Sequence, residues 1–192
     1  MSANTAAEEK TLREKVHTDR RAWRGQDGDN CQLELDGFSV VEESATDIIA
    51  LEPARGIAEP WTHPSFLDSV ADLQRQRQIR ASRQPDEIQL HDRSAICTAA
   101  LAAYLGYPVS VTLPRELERI KTEAIYQNRV FFVHNLGFIK PTEAGHISFK
   151  ESLRFERIHE ETYRGFGFEL VPVLPGSVPE RVATIKRAAL ET

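Results

Sequence analysis

Asp92 and Arg93 are the residues whose types and setting best suit a ligand site. They follow a short strand-like run, residues 88–91, with Ile88 and Leu90 as its apolar members. Ser94 comes next, and then residues 95–105, which are small and apolar on nearly all sides. The pattern reads as a strand, a charged pair at its end and a buried helix stopped by Gly106 and Pro108. In open α/β sheets, ligands bind beyond the carboxyl ends of the strands, which is where this pair falls. A second reading of the same residues is purely local: Asp92 caps the helix and Arg93 pairs on the surface. Upstream, residues 64–82 read as a helix with Ser65 as N-cap and a basic face of Arg75, Arg77, Arg80 and Arg83. Such a face is ordinarily solvated, but beside a site it can hold an anionic substrate. His63 next to Trp61 sits in a Gly- and Pro-containing loop, residues 54–64, and reads as structural rather than as a ligand.

The elements that must position the pair alternate along the chain. Residues 32–35 end a helix stopped by Asp36 and Gly37, residues 38–41 (FSVV) form a short strand, and residues 47–51 form another helical turn. A charged amphipathic helix is expected over 115–128, after a turn at Pro114, with Leu117, Ile120, Ala124 and Ile125 on one side. RVFFVH, 129–134, is a buried strand by its continuous apolar run. Residues 135–145 are a loop, and 148–164 a helix opened by a Ser148/Glu151 capping box. FELVPV, 168–173, is a strand that tolerates Pro172 only near an edge or an end. Ser177 caps a last helix over 178–190, with Pro179 in its first turn. Strand–helix alternation implies a mostly parallel sheet with helices on both faces, an α/β fold in three layers. Residues 1–30 show neither period and read as a disordered tail.

Composition bounds the alternatives. A chain of 192 residues suffices for one domain with a sizeable core. At 41% hydrophobic and 28% charged it has the make-up of an ordinary water-soluble domain. A net charge of -5 argues against a general nucleic-acid binder. No apolar run is long enough to span a bilayer, and the amino terminus lacks the apolar core of a secretion signal. Cys31 and Cys97 have neither metal-ligand nor redox spacing, so a cytoplasmic setting is expected.

HDRSAICTAALAAYLG, RVFFVHNLGF, ISFKESLRFERIHEETYRGFGFELVPV and SVPERVATI, in that order and spacing, resemble the NadR-like AAA family of P-loop ATPases, which are kinase-like NTPases. FSVVEE and RGIAEPWTHPSF fit its early segments, so the likeness runs from about Gln32 to the carboxyl terminus. It divides the chain into residues 1–31, non-homologous, and 32–192, the P-loop NTPase-like domain. The resemblance implies ATP-dependent phosphoryl transfer or hydrolysis, with ATP and Mg²⁺ as cofactors and an unknown small-molecule or phosphorylated substrate. It implies that Asp92 holds the metal's water or acts as base, and that Arg93 holds phosphate oxygens. Glu43 matches an acidic position near substrate or metal, and Arg80 lies on the basic face that would meet an anionic substrate. Residues 135–146 lie where related kinases carry a lid, here with Lys140 for the nucleotide and His134 and His146 at its ends.

One element of that family is missing. A P-loop NTPase needs a strand, then G-x-x-x-x-G-K-[ST], then a helix, because the loop amides cradle the phosphates, the lysine contacts them and the hydroxyl binds Mg²⁺. The motif belongs before Gln32, and no part of the chain contains it. The first strand and loop are therefore expected to be absent, leaving unpaired sheet edges and an inactive homologue or damaged gene product, at most a binding module. The genetic code allows a second account. Read one base over, the codons for residues 16–31 permit Y-I-L-T-G-A-P-G-A-G-K-T-A-I-I, an apolar strand and a complete phosphate loop, with the frame rejoined at Gln32.

Overall fold

The computed structural model describes residues 14–19, 27–134 and 149–191. Five strands form one parallel sheet: β1 (Glu14–Asp19), β2 (Ser39–Val41), β3 (Ile88–Asp92), β4 (Arg129–Val133) and β5 (Glu169–Val173). Their spatial order is β2-β3-β1-β4-β5. β1 lies at the centre, its Val16 opposite Leu90 of β3 and its Thr18 opposite Phe131 of β4. The expectation of a missing first strand is thereby corrected. Strand pairing is a backbone property, so a polar hexapeptide can fill a gap between two buried strands that would otherwise leave their N–H and C=O groups unsatisfied. The strand that carries Asp92 is paired directly with this first strand.

Among the described residues, seven α-helices cover the sheet: α1 (Asp27–Leu35), α2 (Ala45–Leu51), α3 (Ser65–Ala81), α4 (Ala95–Leu105), α5 (Thr112–Thr122), α6 (Phe149–Gly165) and α7 (Val178–Leu190). The period-2 alternation of β4 separates two cores. Val130 joins Phe66, Val70, Ile96, Leu113 and Tyr163 under α2 to α6. Phe131 and Val133 face the other way, with Leu33, Leu90, Val173, Val182 and Ile185 under α1 and α7. β5 is an edge strand, so Pro172 costs the sheet no ladder bond on its outer side.

Helix ends follow local chemistry. Gly37 and Gly106 take φ of 89° and 68°, left-handed values that close α1 and α4. Ser177 and Glu180 form the capping box of α7, and the Ser177 hydroxyl and amide hold the Glu180 carboxyl below its ordinary range. Three sequence readings shift. Ser65 is the first residue of α3, and Pro64 is its N-cap. α5 begins three residues before the expected start because Pro114 sits in its first turn, where a missing N–H costs nothing. α5 then ends at Thr122, and Ala124 turns to φ 45°. The Ser148 cap of α6 lies outside the described residues.

Candidate functional site

β3 delivers Asp92 to the carboxyl edge of the sheet, one strand from the centre. Its side chain is buried, 6% exposed, and accepts a hydrogen bond from Asn30 Nδ2 on α1 at 2.9 Å. The Asp92 carboxylate therefore faces the opening turns of the helix that follows β1, the relation that a site at the carboxyl edge requires. It does not cap α4; the Ser94 hydroxyl does, accepting from the Ile96 amide at 3.2 Å. The reading of Asp92 as the cap of α4 is thereby corrected.

Arg93 turns the chain between Asp92 and that cap with φ 71°, a left-handed conformation in a non-glycine residue. This costs about 1–2 kcal/mol against an ordinary backbone. Such strain clusters at functional sites, where the surroundings hold it in place. Arg93→Gly is expected to raise stability by about 1 kcal/mol while removing the guanidinium. Denaturant midpoints at unchanged slope measure this, with Arg93→Lys as the control that keeps the strain.

The remaining sequence-derived residues scatter. The two Glu43 carboxylate oxygens accept from the amides of Ala45 and Thr46 at 2.7 and 2.8 Å, which makes Glu43 the cap of α2. Arg77, not Arg80, fastens this segment: it donates to the Glu42 and Glu43 carbonyls and pairs with Asp47. Arg80 is exposed in the last turn of α3, beside the start of β3, where Gln89 donates to the Ala81 carbonyl. Lys140 and His146 lie outside the described residues, as do residues 20–26.

Two contacts carry no sequence signal because their partners lie far apart in the chain. Arg181 of α7 donates from Nε and Nη2 to both carboxylate oxygens of Asp29 at 2.9 and 2.8 Å, and both side chains are buried. His134, just past β4, has Nδ1 3.0 Å from Glu156 Oε1 on α6, and Glu160 one turn on completes a cluster with ligand atoms within 4.8 Å of one another. The Glu160 carboxylate is already paired with Arg164 at 3.0 Å. Such a group is able to accept a divalent cation, but its contacts are those of an ion-pair network.

Phosphate binding at the start of α1 would need donors, and the residues present do not fit it. The helix opens with Asp27, and Gln26 precedes it where the phosphate-binding lysine belongs. Asp29 is fully buried and committed to Arg181. A helix amino terminus attracts anions, and carboxylates in its first turn occupy that field and repel a phosphate.

The model of an AAA domain family matches residues 31–181. None of the curated proteins compared with the chain matches it. A crystal structure of NadR protein in complex with NAD and AMP-PNP superposes with a TM-score of 0.65 at 15% identity, over 93% of this chain and 50% of that one. A second, of NadR protein in complex with NR, gives 0.59 at 19% identity, over 85% and 44%. The chain thus spans about half the length of these solved structures, and at such identities the likeness speaks for the fold. The sheet order, the placement of Asp92 beside α1 and a family match over most of the chain agree: this protein belongs to the AAA domain family and has the NadR-like P-loop NTPase fold.

Proposed function

We propose that this chain is a kinase-like P-loop NTPase domain in build and, with the residues it now carries, does not hold Mg²⁺-ATP. The observation that carries the reading is the junction of β1 and α1. β1 pairs with the strand of Asp92 and α1 bonds to Asp92 through Asn30, and in the sequence Gln26 and Asp27 stand where a phosphate loop would carry a lysine and a hydroxyl. In the parent activity, ATP-dependent phosphoryl transfer or hydrolysis, Asp92 would serve as base or as holder of a metal's water and Arg93 as the phosphate-holding group. Glu43, Arg80 and Lys140 are weaker candidates. Glu43 is spent on a cap and Arg80 stands apart from Asp92. The partners that suit such a fold are a nucleotide and a small-molecule or phosphorylated acceptor. The absence of a described helix able to cross a membrane is compatible with a cytoplasmic setting.

Turnover tests the reading. The chain as it stands is expected to release no phosphate from Mg²⁺-ATP above an Asp92→Asn control. Hydrolysis or transfer that disappears in Asp92→Asn would show that the site is competent and the reading wrong.

A further inference from the structure

We propose that residues 16–31 of this chain are a phosphate-binding segment translated one base out of frame, and that the shifted frame encodes a functional Mg²⁺-ATP site. The inference rests on the P-loop reading above and deepens it.

The first support is register. Removing the first base of codon 16 and adding one after codon 31 leaves the chain length unchanged. Each shifted residue then keeps the number of the residue it replaces. The run Y-I-L-T falls on positions 16–19, the last four of β1. The motif's first glycine falls on position 20, its second on 25 and its lysine on 26. Its threonine falls on 27, the first residue of α1. The seven residues between β1 and α1 are thus the seven of G-x-x-x-x-G-K.

The second support is composition. A central strand of a parallel sheet covered on both faces is ordinarily a continuous apolar run. Glu14–Asp19 has Val16 as its one apolar residue, whereas β3 and β4 contribute Leu90, Phe131 and Val133 to the core. The shifted reading supplies the missing pattern at this strand alone. The third support is the family match, which begins at residue 31, where the frame would rejoin.

The change falls on two positions of α1 that meet α7. A Cβ at Gly28 meets Val178 Cγ2 at 3.2 Å, close enough to admit only the smallest side chain, and the shifted residue there is alanine. Position 29 is enclosed, and the shifted isoleucine removes the carboxylate from the helix start. Arg181 loses the Asp29 carboxylate and keeps the Gly176 carbonyl, a cost at α7 that the apolar strand and helix start of the shifted reading must offset.

The nucleotide sequence of the gene decides the frame. The code requires the Arg20 and Gly25 codons to end in G, the Gln26 codon to end in A and the Asp27 codon to end in C. These four bases spell the two glycines, the lysine and the threonine of the motif. All four are expected, and any other base at one of them overturns the proposal. The result does not depend on whether any variant folds. A full-length chain made from the frame-corrected gene is then titrated with Mg²⁺-ATP by calorimetry. Saturable micromolar binding, against none for the present chain, supports both the frame and the P-loop reading. The four bases together with a folded, frame-corrected chain that binds no nucleotide would leave the frame standing and overturn the P-loop reading instead.

Discussion

Asp29→Ala is expected to cost about 3–5 kcal/mol of folding stability, the penalty for leaving one member of a buried ion pair without its partner. The Asp29 and Arg181 side chains are 1% and 5% exposed, and the guanidinium meets both carboxylate oxygens, so water cannot replace what the alanine removes. In a chain of this length about 1 kcal/mol moves the melting temperature by roughly 2–4 °C, so the loss is read as a fall on the order of 10 °C. The double variant Asp29→Ala with Arg181→Met should recover much of it, because apolar replacement of a whole buried pair is often neutral. A melting temperature within about 2 °C of the parent for the single variant would show that the pair does not hold α1 to α7.

Phe131→Ala is expected to cost a similar amount, about 3–5 kcal/mol, through lost burial and the cavity left behind. Phe131 is fully enclosed on β4, between β1 and β5, and packs with Leu33, Val182 and Ile185 of the two helices on that face. Phe131→Leu, which keeps most of the volume, should cost less than about 1.5 kcal/mol. Urea unfolding at constant slope separates the two. Equal losses would mean that ring shape rather than filled volume holds this layer. α1 takes part in both this core and the Asp29 pair, so combining Phe131→Ala with Asp29→Ala should give less than the sum.

Most of the architecture was legible because it rests on period and punctuation. The strand-like runs at 38–41, 88–91, 129–134 and 168–173 became β2 to β5, and Gly106 and Ser177 ended and began helices where their backbone chemistry directs. Pro172 named its strand an edge, and the sheet order agrees. Residues 14–19 and 27–31 were illegible for the opposite reason. β1 lacks the apolar run that a central parallel strand ordinarily shows and is held by backbone pairing on both sides, and the polar start of α1 is stabilised by Arg181, 152 residues away. α5 was misplaced because Pro114 was read as a turn, although proline suits the first turn of a helix equally well.

Asp92 and Arg93 stand out in the sequence by their place after an apolar strand, and the structure sets Asp92 at the carboxyl edge of the sheet. Glu43 shows the limit of that logic. A carboxylate after a strand and before a helix is equally the cap of that helix, and only geometry tells the two apart. Asn30 as the partner of Asp92 needed α1 to begin at Asp27, which no pattern in the printed residues indicated.

The central claim is that the chain has a nucleotide-binding fold without the groups that hold the nucleotide's phosphates. Calorimetric titration of the full chain with Mg²⁺-ATP addresses it most directly. The residues at the start of α1 predict no saturable heat at millimolar nucleotide. A stoichiometric isotherm with micromolar affinity would contradict the claim, because it would mean that Asp92, Arg93 and the loop before Asp27 form a phosphate site without the lysine.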